Sequence, residues 1–160
     1  NKGEILQIDT PNNLYAHPKN LFVAGFIGMP PMNFVEGRIG KDQEGLYFQD
    51  HSKTLLARTP KRPELEPYLD RELTMGIRPE HIHPHPAKGA EHYAAFQAYI
   101  QFVERLGHES FAFSTLQDQQ IVARLTPEET VEPLSDMALY LEIEKMHFFD
   151  KGTGEAVTGD

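Results

Sequence analysis

"SFAFSTLQDQQIVARL", residues 110–125, carries the pattern that decides the fold class. Phe111, Phe113 and Thr115 alternate with Ser110, Ala112 and Ser114, which is the two-residue period of a half-buried strand. Asp118-Gln119 supplies a turn, and Ile121, Ala123 and Leu125 then share one face while Arg124 takes the other. The same alternation returns in "ALYLEIE", residues 138–144, where Leu139, Leu141 and Ile143 oppose Tyr140, Glu142 and Glu144. Upstream, strands are expected over Phe34–Ile39, Leu46–Gln49, Lys53–Ala57, Leu73–Ile77 and Ala98–Glu104, with a hairpin loop at "GKDQEG" and a helical turn or two over Glu64–Leu69. Twelve prolines and twelve glycines keep such elements short. The fold class expected is therefore mostly β, a small OB-type β-barrel with a few short helices, in preference to a sandwich.

The first residues have a different texture. "NKGEILQID" predicts a turn at Lys2-Gly3 and a short strand through Ile5, Leu6 and Ile8. Thr10-Pro11 opens a helix over Asn12–Ala16 that His17-Pro18 closes, because a hydroxyl caps free N–H groups and the residue before proline disfavours the α region. Asn20 caps a second helix over Leu21–Ile27, stopped by Gly28 and Pro30-Pro31. This gives two parts, residues 1–31 and residues 32–160.

Composition bounds the function. Hydrophobic residues at 39% and charged residues at 24% suit a globular chain of one domain, or one domain with an appendage. The net charge of −9 repels phosphate backbones, so no nucleic-acid partner is expected. With no cysteine, disulfides and thiolate metal sites are excluded. The longest apolar run, Leu21–Ile27, is far shorter than a membrane-spanning helix, and no charged leader followed by an apolar segment opens the chain.

Motifs for chemistry are few. His81, His83, His85 and His92 could point one way from an extended segment and hold a metal, but Pro84 and Pro86 interrupt them, and a loop over Pro79–Ala90 is the favoured reading. Gly40-Lys41 and Gly152-x-Gly154 lack phosphate-loop spacing and read as turns. Glu80 beside His81 and His108 beside Glu109 are sequence neighbours without a shared geometry. Phe111 and Phe113 could stack bases but lack surrounding basic residues, so they are expected in the core. Arg78 and Glu80, flanking Pro79, suit either an ion pair within the fold or a contact between two surfaces. No catalytic, cofactor-binding or metal-ligating residue is assigned. A stand-alone OB module for a small ligand or oligonucleotide is the alternative, with a histidine-based metal enzyme third.

Four segments carry a resemblance. "GEILQIDTPNNLYAHPKNLFVAGFIGMPPMNF" at 3–34, "GIRPEH" at 76–81, "VERLGHE" at 103–109 and "HFFDKGTGEAV" at 147–157 are similar, in that order, to the ATPase subunits of ABC importers of the maltose and glycerol-3-phosphate class. The resemblance implies that residues 1–31 are the end of the nucleotide-binding domain and its connector, and residues 32–160 an OB-type (TOBE) regulatory domain. It further implies a domain without the ATP site, no cofactor of its own (ATP and Mg belonging to the absent domain), and no enzymatic activity in this piece. The implied partners are a second copy of the chain, the nucleotide-binding domain, membrane permease subunits and a regulatory protein. The implied location is cytoplasmic, at the inner face of the plasma membrane through the transporter. Phe34 in "MNF" and Gly76 in "GIRPEH" match positions linked with regulation in that family.

Overall fold

The structure, a computed structural model, describes residues 3–59, 62–86, 92–116 and 118–157. Two short helices come first, α1 (Pro11–Ala16) and α2 (Leu21–Phe26). Both start where the local sequence dictates: Thr10 Oγ1 accepts from the Asn13 N–H at 3.3 Å, and Asn20 Oδ1 from the Val23 N–H at 3.0 Å. The strands follow as β1 (Asn33–Asp42), β2 (Gly45–Asp50), β3 (Leu56–Arg58), β4 (Glu72–Ile77), β5 (Ile82–His83), β6 (Tyr93–Arg105), β7 (Ser110–Leu116), β8 (Gln119–Leu125), β9 (Ser135–Glu142) and β10 (His147–Asp150). Short stretches of 3-10 helix at Pro63–Tyr68, Pro79–His81 and Ile143–Lys145 punctuate them.

The mostly β architecture expected from the sequence is what forms, as two antiparallel five-stranded sheets ordered β10-β4-β1-β2-β3 and β5-β9-β6-β7-β8. The second sheet curls, bringing its edge strands β5 and β8 together. One core lies between the sheets, with Ile39, Phe48, Leu73 and Met75 from the first and Phe96, Ile100, Ile121 and Leu139 from the second, all at most 3% exposed. Buried Asn33 joins them: its side-chain amide donates to the Val122 carbonyl at 2.9 Å and accepts from the Val122 N–H at 2.8 Å. That contact satisfies backbone groups on the open side of β8, which no strand covers.

Several expectations are corrected. Residues 4–10 form no strand, and Ile5 and Ile8 are 77% and 83% exposed. A strand needs a ladder partner; here Gln7 does that work with its side chain, accepting from the Lys19 N–H at 2.9 Å and donating to the His17 carbonyl at 3.1 Å. On β7 Ala112, Ser114 and Leu116 turn to the core, and of the two phenylalanines expected there Phe111 is buried at 4% exposure whereas Phe113 stacks outside on Phe102 with centroids 4.3 Å apart. Alternation shows which residues share a face; it does not show which face turns inward. Gly40 is inside β1 and no turn, opposite Tyr47, whose ring occupies the space a Cβ would need. The Pro79–Ala90 stretch is structured as far as it is described: a 3-10 turn, then β5 paired with β9. Residues 87–90 of it lie outside the described residues. The strand β10 had no periodic signal, being only four residues long. Among the described residues, no helix is long and apolar enough to cross a membrane.

Candidate functional site

Phe34 and Gly76, far apart in sequence, are direct partners across the β1–β4 ladder. Gly76 is small for a reason of space, since a Cβ there would lie 2.6 Å from Met32 Sδ and 3.0 Å from the Phe149 ring. The ring of Phe34 meets Phe149 edge-on, centroids 6.0 Å apart, and Ala24 of α2 is fully buried in the same small cluster with Met32 and Phe149. Gly25 continues the close approach: a Cβ there would sit 3.2 Å from the Phe34 ring. These residues form the joint between α2 and the first sheet.

The turn after β10 fastens the same joint from the other side. Asp150 accepts N–H bonds from Gly152 at 2.8 Å and Thr153 at 2.9 Å, and Gly154 takes a positive φ of 74°. The reversed chain then meets the connector, with the Leu21 N–H donating to the Gly154 carbonyl at 2.9 Å and the Ala156 N–H to the Lys19 carbonyl at 2.9 Å.

Arg78 leaves β4 and is 2% exposed. Its Nη1 donates to the Ile27 carbonyl at 2.7 Å and its Nη2 to the Tyr15 carbonyl at 2.5 Å. Both acceptors lie at helix C-termini, where carbonyls lack intrahelical partners and carry partial negative charge. The guanidinium also covers the Tyr15 ring, 3.5 Å from its centroid. Burial lowers the Arg78 pKa, against the pull of Tyr15 and Glu80. Glu80 accepts a hydrogen bond from the Tyr15 hydroxyl, and burial followed by this carboxylate pushes the Tyr15 pKa up to about 12. Arg78 and Glu80 thus converge on one tyrosine and make no ion pair with each other within 4 Å.

The histidines are tied to carboxylates. His83 Nε2 lies 2.8 Å and His81 Nδ1 3.3 Å from Glu142 Oε1, His83 and His85 each approach Glu129 at 3.9 Å, and His92 lies 2.8 Å from Glu144. Among the described residues no group of three or more ligands is gathered for a metal ion. His108 and Glu109 stay apart in role, Glu109 pairing with Arg124 at 2.8 Å.

What the sequence did not indicate is a cleft of about 490 Å³ beside α1, between the segment at Arg62 and the β9–β10 turn. Arg62 reaches it from the first sheet's side and donates through Nη2 to the carbonyls of Ile143, Glu144 and Met146 at 3.3, 3.2 and 2.8 Å. Burial lowers the Arg62 pKa. His147 is pushed down to about 4 by burial and then by the charges of Arg78 and Arg62. Only a contact running across 81 or more residues creates this arrangement, so no local pattern announces it.

Residues 28–82 match the model of the MalK OB fold domain, and residues 75–149 match the TOBE domain. Over 154 residues the chain is 37% identical to an sn-glycerol-3-phosphate import ATP-binding protein of Yersinia enterocolitica, covering 96% of this chain and 41% of that protein. A sulfoquinovosyl glycerol transport ATP-binding protein of Agrobacterium fabrum is 34% identical, at 97% and 41% coverage. An uncharacterized ABC transporter ATP-binding protein of Bacillus subtilis is also 34% identical, at 98% and 43%. The chain therefore spans about two-fifths of the length of these curated relatives. Among solved structures, the molybdate-binding protein ModG aligns with a TM-score of 0.56 at 12% identity, covering 72% of this chain and 94% of that one, a likeness of fold alone.

Proposed function

From membership in the family of MalK-type OB-fold and TOBE domains, to which this chain belongs, we propose that it is the regulatory and pairing domain of the ATP-binding subunit of a carbohydrate-type ABC importer. The observation that carries the reading is the overlapping pair of domain matches that together run over residues 28–149, within an alignment to importer ATP-binding proteins that takes in nearly the whole chain. In this reading residues 1–31 are the end of the nucleotide-binding domain with its connector, and residues 32–160 the regulatory domain. Nucleotide hydrolysis, with ATP and Mg, belongs to the rest of the subunit, and the permease subunits at the inner membrane face are reached through it.

Two apolar surfaces support this division of contacts. On the connector, exposed Ile5, Phe22 and Phe26 border a groove of about 260 Å³, with Phe22 and Phe26 stacked at 5.9 Å. That is the side we assign to the nucleotide-binding domain. On the second sheet, Tyr99, Phe102, Leu106 and Leu134 are between 47% and 72% exposed. Tyr99, Phe102 and Leu134 lie around the irregular pairing at Ile100/Phe102, where the Leu134 N–H donates to the Ile100 carbonyl at 2.7 Å, and Leu106 follows the end of β6. An exposed aromatic and aliphatic patch in a chain of net charge −9 is where copies repel one another least, and it is the face we assign to the second copy. The joint at Phe34 and Gly76 is where a regulator's influence on the connector would be felt. The oligonucleotide alternative loses ground because Arg124, the cation beside Phe111, is already paired with Glu109.

Sedimentation equilibrium across a wide range of concentration tests the pairing role. The chain is expected to self-associate, and Phe102→Glu to weaken that association at least tenfold. A chain that stays monomeric into the millimolar range, or a Phe102→Glu variant that associates unchanged, refutes the assignment.

A further inference from the structure

The cleft beside α1 holds a buried cation, Arg78, whose charge neither pairing nor contact with a nucleotide-binding domain explains. Arg78 and Arg62 stand in its walls, both with pKa values lowered by burial, and what they touch is mainly carbonyl oxygen. Carbonyls accept hydrogen bonds but cancel no charge. Of the two carboxylates lining the cleft, Glu64 is 3.7 Å from Arg62 and Glu144 is taken by His92 at 2.8 Å. Glu80 accepts from Tyr15, and among the described residues no carboxylate lies within 4 Å of Arg78. A buried cation without a counter-ion is costly unless something else supplies the negative charge.

The guanidiniums also have donors to spare. A guanidinium offers five N–H groups in a planar fork that suits phosphate oxygens. Arg78 directs one bond at each of two carbonyls, and Arg62 sends its three carbonyl bonds from Nη2 alone. Lys145 adds a further positive charge to the lining, and His147 is driven towards its neutral form by burial and then by Arg78 and Arg62. The rest of the wall is apolar, with Met146, Phe148 and Val157. At about 490 Å³ the cleft is too large for a bare ion and suits an ion carrying a small organic group.

We propose that this cleft binds a small phosphate monoester, its phosphate on the free N–H groups of Arg62 and Arg78 and its organic part against Met146, Phe148 and Val157. The dianion would supply the counter-charge that Arg78 lacks, Arg62 having Glu64 beside it. It would also bridge the C-terminal end of α1 and the β9–β10 turn, so occupancy would stiffen the hold of the sheet on the connector. This site is independent of the pairing face on the second sheet.

The test is an NMR titration of the whole chain at pH 7 and fixed ionic strength, with glucose 6-phosphate, inorganic phosphate, glucose and acetate as separate probes, following the His147 ring and the Arg62 and Arg78 Nε–H signals. Saturable shifts with glucose 6-phosphate, several-fold tighter than with inorganic phosphate and absent with glucose, are expected. Shifts that are equal for phosphate and acetate, that never saturate, or that are weaker for glucose 6-phosphate than for inorganic phosphate overturn the proposal. Arg62→Gln should lower glucose 6-phosphate affinity at least tenfold, and an unchanged affinity overturns it as well. Should that variant fail to fold, the titration of the unaltered chain decides alone.

Discussion

Replacing Arg78 by methionine isolates what the guanidinium does for the fold. Methionine keeps most of the side-chain length but removes both bonds to the Tyr15 and Ile27 carbonyls and the stack on the Tyr15 ring. Hydrogen bonds from a charged donor contribute about 1.5–3 kcal/mol each, and a partly desolvated cation–π contact about 1–2 kcal/mol. Against this stands the cost of burying the cation, which is what lowers its pKa and which methionine would relieve. The carbonyls decide the sign: left without donors at two helix ends, they lose their partners with nothing to replace them. The net loss expected is about 3 kcal/mol, which at a urea slope of about 2 kcal/mol/M lowers the unfolding midpoint by about 1.5 M. Tyrosine fluorescence follows the transition, since the chain has six tyrosines and no tryptophan. Arg78→Lys should recover less than half of the loss, because one ammonium cannot span two carbonyls and cover a ring. A midpoint for Arg78→Met within about 0.3 M of the parent would refute the latch, showing that relief of the buried charge offsets everything it holds.

Four other substitutions test the packing and charge of the fold. Gly76→Ala should cost about 1–3 kcal/mol by overpacking, and Gly37→Ala more, because the Met32 thioether can swing aside whereas the Gln49 carbonyl, 2.3 Å from a Cβ at position 37, belongs to the backbone; a reversed order in urea unfolding would contradict this. Phe48→Ala, at a fully buried ring 5.7 Å from Phe148, should cost about 3–5 kcal/mol and be read as a large drop in melting temperature. His147 has a folded pKa depressed from 6.5 to about 4, so its contribution is present above pH 6.5 and is lost as pH falls towards 4, where the unfolded chain binds the extra proton. His147→Gln should therefore flatten stability between pH 6.5 and 4, and an unchanged slope in that window would remove His147 as its source.

Local chemistry was legible and distant complementarity was not. Thr10 and Asn20 announce their helices because a cap and the N–H it serves are three residues apart. The strands β7, β8 and β9 show in their period because alternation is a property of each strand alone. By contrast, Asn33 finds Val122 at a separation of 89 residues, and Arg78 finds Tyr15 and Ile27 at 63 and 51. The histidines of residues 81 and 83 gave a metal-like spacing, yet what they meet is Glu142, 61 and 59 residues on, whose pKa burial raises but these same rings together bring below its usual value. Spacing along a strand says which way side chains point; the identity of what they point at belongs to another strand.

The same reasoning explains why Gly76, Phe34 and Arg78 work as a set although only proximity in the fold unites them. Gly76 and Gly25 let α2 approach the first sheet closely, and closeness brings the free carbonyls at the helix ends within reach of a side chain leaving β4. Bulk at Gly76 presses on Met32 and Phe149, and bulk at Gly25 on the Phe34 ring, so a shift of α2 that relieves either would also strain the bonds Arg78 makes at the helix ends. Coupling of that kind is measurable: the costs of Gly76→Ala and Arg78→Met should sum to more than the cost of the double variant, because the first change already loosens what the second removes. Strict additivity would mean that α2 is held by the sheet and by Arg78 independently, and the joint would then transmit nothing from one to the other.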